Sequence, residues 1–294
     1  MPSLKEIRKK IISIHNIWKL TSALETLSVV KMKRAQKLAL SSRLFAQKVA
    51  QLLILVKETL IQEETVFLKY GQGRTLVLVV TSDRRFCGNF NQNILKFAQK
   101  EISKIKEEKE GVEIFPVGKM GISFLKKRGY EIKYSLSGIG DFGELEETKP
   151  LSDFLIKSFL ERKFKRIILI FTHFQSVFSF KPKRIQLLPL KVKDLEFFLE
   201  KVEREKEDFL IEPSKKYLLE EICPQLIEYI IYQAILENNA SEHAARMLAM
   251  KQASENAKEK FEELFLHYHK IRQALITAET SEIFSAKEVL EKYG

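Results

Sequence analysis

Residues 4–60 read LKEIRKKIISIHNIWKLTSALETLSVVKMKRAQKLALSSRLFAQKVAQLLILVKETL. Leu4, Ile7, Ile11, Ile14, Trp18 and Thr21 fall at alternating steps of three and four. The same register runs on through Glu25, Ser28, Met32, Ala35, Ala39, Ser42, Ala46, Val49, Leu53, Val56 and Leu60. That spacing is the heptad stripe of a coiled coil. No Gly interrupts it, and Pro2 stands where a proline can open a helix. At 1.5 Å per residue the helix would be roughly 85 Å long, far more than a compact domain needs. The stripe turns polar at Glu25 and Ser28, then small from Ala35 to Ala46, where a neighbouring helix can approach closely.

A second segment of this kind follows Pro213-Ser214. Pro224 is expected to kink or interrupt its first turns. Beyond it Leu236, Ala240, Ala244, Met247, Met250, Ala253, Ala257, Phe261, Leu264, Tyr268, Ile271, Leu275 and Ala278 keep the three-four rhythm. Neither helix can bury its stripe alone, so the two ends of the chain are expected to pair as an antiparallel coiled coil. Charge supports the pairing. Residues 1–60 hold twelve Lys and Arg against three Glu, and residues 214–294 hold ten against thirteen. Most of the formal +11 of the 294-residue chain therefore sits on the first helix. Such a basic arm needs an acidic partner: protein, lipid headgroups or nucleic acid.

The middle has another texture. Strands are expected at Thr75–Thr81, Val112–Val117, Tyr130–Leu136 and Ile167–Phe174, with a last extended run at Arg184–Leu190. Helices are expected at Gln92–Glu110, near Lys119–Arg128 and at Leu151–Lys163, with Gly138–Pro150 as a loop. Alternation of this kind gives a small, mostly parallel, Rossmann-like α/β domain. The fold class is thus α/β plus a long coiled coil, divided as 1–62, 74–195 and 208–290.

Chemistry is sparse. The turn Ser82–Asn89 after the first strand has neither G-x-G-x-x-G nor G-x-x-x-x-G-K-[ST]. The glycine-rich Gly138–Gly143 leads into a polar loop rather than an apolar helix. Cys87 and Cys223 fit no CxxC pattern and read as unpaired buried thiols. His267 and His269 lack a third ligand at zinc spacing. His15 and His243 lie within helical stretches as packed or hydrogen-bonded side chains, and Trp18 on the stripe is core or bearing surface. Glu146-Glu147 and Glu262-Glu263 read as solvated faces. Lys31-Met32-Lys33-Arg34 lacks the interleaved aromatics of a nucleic-acid reader. No catalytic residue, cofactor or metal is expected, and no apolar run is long enough to span a bilayer. Met1–Glu6 resembles neither a secretory signal nor a transit peptide.

Three stretches go further. EHAARMLAMKQASENA (242–257) and YHKIRQALITAE (268–279, continuing through Glu282-Ile283) closely resemble the signature of the ATP synthase gamma family. Residues 4–8 through Lys31-Met32-Lys33-Arg34-Ala35 are similar to its N-terminal helix. Ser82-Asp83-Arg84 with Cys87-Gly88 and Asn91 resembles the loop after its first strand, and Phe209–Pro213 the approach to its last helix.

The resemblance implies a non-catalytic rotor shaft inside a ring of alpha and beta subunits. Its foot would rest on the epsilon subunit and the membrane c-ring, coupling proton- or sodium-driven rotation to ATP synthesis or hydrolysis. It implies that Arg272, Gln273, Thr277, Glu242, Arg246, Leu24 and Lys31 face the alpha/beta ring, and that Phe209 and Glu212 lie near the c-ring and epsilon. It implies no nucleic-acid partner and a peripheral place on the cytoplasmic face of a bacterial plasma (inner) membrane.

The sequence departs from the family at Leu24-Glu25, Leu27–Val30, Arg85-Phe86, Asn89, His269 and Ser285. It also lacks the inserted cysteine pair of the chloroplast form. A non-rotary coiled-coil scaffold and a basic nucleic-acid binder are the other functions that the charge and heptads allow.

Overall fold

A computed structural model describes residues 4–58, 66–142, 144–191 and 214–293. In chain order the elements are α1 (Leu4–Glu58), a short 3₁₀ turn (Val66–Leu68), β1 (Arg74–Val80), α2 (Phe90–Glu107), β2 (Val112–Val117) and α3 (Lys119–Lys127). Then come α4 (Leu145–Leu160), β3 (Phe164–Ser176), β4 (Ser179–Leu188) and α5 (Lys215–Tyr293). The chain divides into two compact units, residues 28–246 and residues 1–27 with 247–294. The boundaries drawn at residues 62, 195 and 208 lie outside the described residues.

The larger unit is built on a four-stranded sheet of order β2-β1-β3-β4. β1 pairs parallel with β2 and with β3, and β4 returns antiparallel along β3 as a hairpin. β1 is buried along almost its whole length, as expected of a central strand covered on both faces. Alternate residues supply two cores. Val77, Val79, Ile114, Ile168 and Ile170 pack with Ile94, Ala98 and Ile102 of α2 and Leu125 of α3. Leu76, Leu78, Val80, Leu169 and Phe171 face the other way, onto Leu151, Leu155 and Phe159 of α4 and onto Leu219, Leu226, Ile230 and Ala234 of α5. The C-terminal helix is therefore part of the α/β core, not only a partner of α1. Each fully buried Leu or Ile in these layers contributes roughly 1.5–3 kcal/mol.

Four expectations are corrected. Tyr130–Leu136 is not a strand; its ladder contact is the single bridge between Val117 and Leu136. The alternation has another use: Tyr130 and Ile132 pack on the α2 side, and Tyr134 and Leu136 on the α4 side. The segment crosses the sheet's edge from one face to the other. Next, α4 begins at Leu145, within the expected loop and directly behind the glycines, and carries Pro150 inside it. Acidic residues in its first turn suit the helix dipole, and Glu147 Oε2 accepts from the Glu144 amide at 3.2 Å, half of a capping box. β4 starts five residues before Arg184, because the hairpin with β3 closes through Ser176 and Ser179. Finally, α5 runs through Pro224 without interruption.

In the smaller unit, residues 4–27 of α1 and 247–293 of α5 form an antiparallel pair. Ile7 and Thr21 are buried, with Ile11, Ile14 and Trp18 half-buried between them, as the heptad register requires. Phe261 stands 5.2 Å from His15 and 6.1 Å from Trp18, ring centre to centre. Stepping antiparallel from these contacts brings Leu4 level with residues 272–275. The stripe on α5 accordingly ends at Ile271, and Leu275 and Ala278, expected on it, are exposed.

Candidate functional site

The carboxyl ends of β1, β2 and β3 are where an open α/β sheet would hold a ligand. Here the chain closes that place with its own side chains. The turn after β1 folds on itself: Asn91 Oδ1 accepts from the Ser82 amide at 3.0 Å, and its Nδ2 donates to Ser82 Oγ at 2.7 Å and Cys87 Sγ at 3.2 Å. Asp83 then accepts from two backbone amides, Lys119 at the first turn of α3 and Gly138, each at 2.8 Å. A helix N-terminus of this kind is a natural anion site, and Asp83 fills it. Gly118, the cap of α3, sits at φ 97° with its amide bonded to Leu136 O at 2.8 Å.

α5 covers the rest. Ser241 Oγ donates to Glu237 O at 2.8 Å and lies 3.5 Å from Thr172 O of β3, and His173 Nδ1 meets Glu237 Oε2 at 2.5 Å, with Gln233 Nε2 donating to Oε1 at 2.9 Å. Arg246 donates to Arg85 O through Nε and Nη2, both at 3.4 Å, and pairs with Glu242. Asn239 Nδ2 donates to the carbonyls of Gly140 (3.2 Å) and Asp141 (3.3 Å). What remains is a cavity of about 250 Å³, bordered by Thr81, Asp83, Arg84, Lys119, Asn239 and Glu242 among others.

Asp141 is the hub of this end. Its Oδ2 accepts from Lys31 Nζ of α1 at 2.5 Å and from Arg84 Nη1 at 3.3 Å, and its Oδ1 lies 3.5 Å from His243 Nε2. Burial opposes its ionisation, but the Lys31 hydrogen bond and the surrounding positive charge outweigh that and hold the carboxyl below its ordinary range. Burial, reinforced by the Arg246 charge, drives His243 down to about 4. The imidazole is therefore neutral near pH 7. Arg246 Nη1 donates to its Nδ1 at 3.1 Å, which leaves the proton on Nε2. The close approach of His243 to Asp141 is thus a contact of a neutral ring, not an ion pair. Burial raises the Glu242 carboxyl above its ordinary range, against the pull of Arg246.

The residues singled out in sequence separate into groups. Glu242 and Arg246, each 7% exposed, and Lys31 are bonded within the larger unit. Leu24 is half-buried on α1. Arg272, Gln273 and Thr277 are exposed near the end of α5, where Thr277 Oγ1 donates to Gln273 O at 2.9 Å. Phe209 and Glu212 lie outside the described residues. Cys87 and Cys223 are buried and free, and burial pushes the Cys223 thiol up to about 12. Asp141, His173, Glu237 and Asn239 carried no motif, and Asp83 stood out only within the resemblance at Ser82-Asp83-Arg84. Their importance depends on which segments the fold brings together.

Among the described residues no helix is long and apolar enough to cross a membrane, and no group of His, Cys, Asp and Glu could hold a metal ion.

A four-stranded α/β domain whose strand ends are largely covered by the chain's own side chains, with a long helix at each end of the sequence, defines the class. Residues 3–290 match the ATP synthase family, and relatives at this identity and coverage place the chain in it, among the gamma chains. The ATP synthase gamma chain of Actinobacillus succinogenes is 36% identical over 284 residues, covering 96% of this chain and 98% of that one. That of Geotalea daltonii is 35% identical over 295 residues, covering 99% and 100%. Among solved structures, the Euglena gracilis mitochondrial ATP synthase OSCP/F1/c-ring in rotational state 3 contains a chain of the same fold. Its TM-score is 0.62 at 17% identity, with 98% of this chain and 94% of that chain covered. A chain of the Tetrahymena thermophila mitochondrial ATP synthase central stalk/c-ring gives a TM-score of 0.57 at 23% identity, covering 80% and 99%.

Proposed function

We propose that the chain is the central stalk of an ATP synthase, turning within a ring of alpha and beta subunits and standing on the epsilon subunit and the membrane c-ring. It transmits torque and holds no catalytic residue of its own. One observation supports this reading above the others: beyond Ile271 the described side chains of α5 are exposed all round the helix. Arg272, Gln273 and Thr277 lie there beside exposed Leu275 and Ile276, polar and apolar groups arranged for a partner. Arg272, Gln273 and Thr277 are assigned to the beta subunits' side of the ring, together with the half-buried Leu24 of α1. Glu242, Arg246 and Lys31 serve the ring indirectly, by fixing the helices that reach it. Phe209 and Glu212 are assigned to the c-ring end. The protein is held at the cytoplasmic face of the membrane through the complex.

Co-expression with the alpha and beta subunits of the same organism tests the reading. A stable complex whose ATPase activity requires this chain, and weakens when residues from Ile271 onward are removed, is expected. Absence of any complex would instead point to a diverged helical scaffold.

A further inference from the structure

We propose that Asp141, with its neighbour Phe142, is the clip that fixes α1 in register on the α/β domain, and that coupling of rotation to catalysis requires this clip. The proposal rests on the central-stalk reading. The two long helices are held very differently. α5 is built into the sheet's core by large apolar side chains from Leu219 to Ile235 and crosses the strand ends with Glu237, Asn239, Ser241 and Arg246. Among the described side chains, the buried face of α1 in the same unit is Ser28, Met32, Ala35 and Ala39, small apart from Met32. Small side chains form shallow ridges, so a seam of this kind resists sliding and rolling weakly. In such seams a polar contact sets the register.

The loop 137–142 provides that contact. Lys31 donates to Asp141, and one turn further along α1 the Arg34 guanidinium lies 4.0 Å from the centre of the Phe142 ring. The two grips share one face of α1, three residues apart. The loop itself cannot follow α1 if the helix moves. Gly138 N is held by Asp83, Gly140 N by Glu147 Oε2 at 3.0 Å, and the Gly140 and Asp141 carbonyls by Asn239 of α5. Load on α1 at Lys31 therefore passes through one carboxylate into the β1 turn, α4 and α5. Asp141 is a positioning residue: it touches no reacting group.

The test uses the assembled synthase in membrane vesicles and reads ion pumping per ATP hydrolysed. That ratio is normalised to working complexes, so a lower yield of folded protein does not move it. Asp141→Ala and Lys31→Met are each expected to lower the ratio several-fold while hydrolysis persists. The double variant should be no worse than the single ones, because both remove the same contact. Lys31→Arg should keep the ratio near wild type. An unchanged ratio in Lys31→Met, or losses that simply add in the double variant, would overturn the proposal. If Asp141→Ala does not assemble, Lys31→Met decides, since it leaves every bond within the loop in place. Failure of the wild-type chain to assemble with alpha, beta and c-ring subunits would be a failure of the stalk reading, and is distinguishable at the outset.

Discussion

Acid should loosen the larger unit through His243, and the size of the effect follows from its surroundings. The ring is buried, accepts a hydrogen bond from Arg246, and has its folded pKa lowered from 6.5 to about 4. A base whose folded pKa is depressed is stabilised in its neutral form. Between these two values the unfolded chain binds the proton and the folded chain does not, so stability rises with pH there. The contribution is fully present above pH 6.5 and is lost as pH falls toward 4. Over the full window the loss is about 3 kcal/mol, and between about pH 7 and pH 5 it is about 2 kcal/mol. Glu242, raised by burial, contributes with the opposite sign, and Asp141, lowered by Lys31 and its neighbours, adds loss only at lower pH. Both groups remain in His243→Gln and largely cancel in a comparison. Urea unfolding of wild type and His243→Gln at about pH 7 and about pH 5 isolates the histidine: wild type should lose about 2 kcal/mol more than the variant. Parallel pH dependence in the two proteins would refute the assignment of a neutral, buried ring.

Three other outcomes are expected. Gly118→Ala would place a Cβ 2.4 Å from Thr81 O at a φ of 97°, so it should cost at least about 2 kcal/mol in urea unfolding, an expectation that a wild-type midpoint would contradict. Neither cysteine should react with Ellman's reagent in the native chain at about pH 8, and both should after unfolding, because both thiols are buried with raised pKa values. Arg272→Ala should leave the unfolding midpoint of the chain unchanged, the side chain being exposed, yet weaken ATPase coupling in the complex; unaltered activity there would remove Arg272 from the ring contact.

The coiled-coil half was legible because periodicity is a local signal. The stripe read from Leu4 to Ala39 is the buried stripe, position by position. On α5 the same rhythm holds between Met250 and Ile271 and fails on both sides for different reasons. Toward the C-terminus Leu275 is exposed, level with Leu4, the first described residue of α1. Toward the N-terminus nearly every residue from Gln233 to Arg246 is buried, polar ones included, since the helix is enclosed by the sheet as well. A helix buried all round has no stripe to read. The parallel strands were legible as apolar runs. Tyr130–Leu136 was misread because a segment crossing a sheet edge alternates as a strand does. The hub at Asp141 was invisible for a third reason: Lys31, Arg84, Asp141 and His243 are joined by the fold alone, and no spacing in the chain relates them.

The largely filled crevice explains how the strand ends of a nucleotide-type architecture can be satisfied from within the chain. Parallel strands leave helix N-termini and free amides at their carboxyl ends, and buried amides must be satisfied. A nucleotide-binding protein leaves that duty to a phosphate. Here Asp83 takes the amides of Lys119 and Gly138, and α5 lies across the ends of the remaining strands. The sheet thereby gains what a ligand would have supplied, satisfied amides and a packed lid, permanently and from within. A ligand would come and go, whereas a covalently attached carboxylate and helix keep this end of the sheet in one state. Among the polar residues of α5 so enclosed, Arg246 pairs with Glu242 and the β1 turn and His243 lies against Asp141, whereas both amide atoms of buried Asn238 lack a hydrogen-bond partner among the described residues. The absence of a glycine motif after β1 and the presence of a buried charged cluster on α5 are thus two consequences of one arrangement.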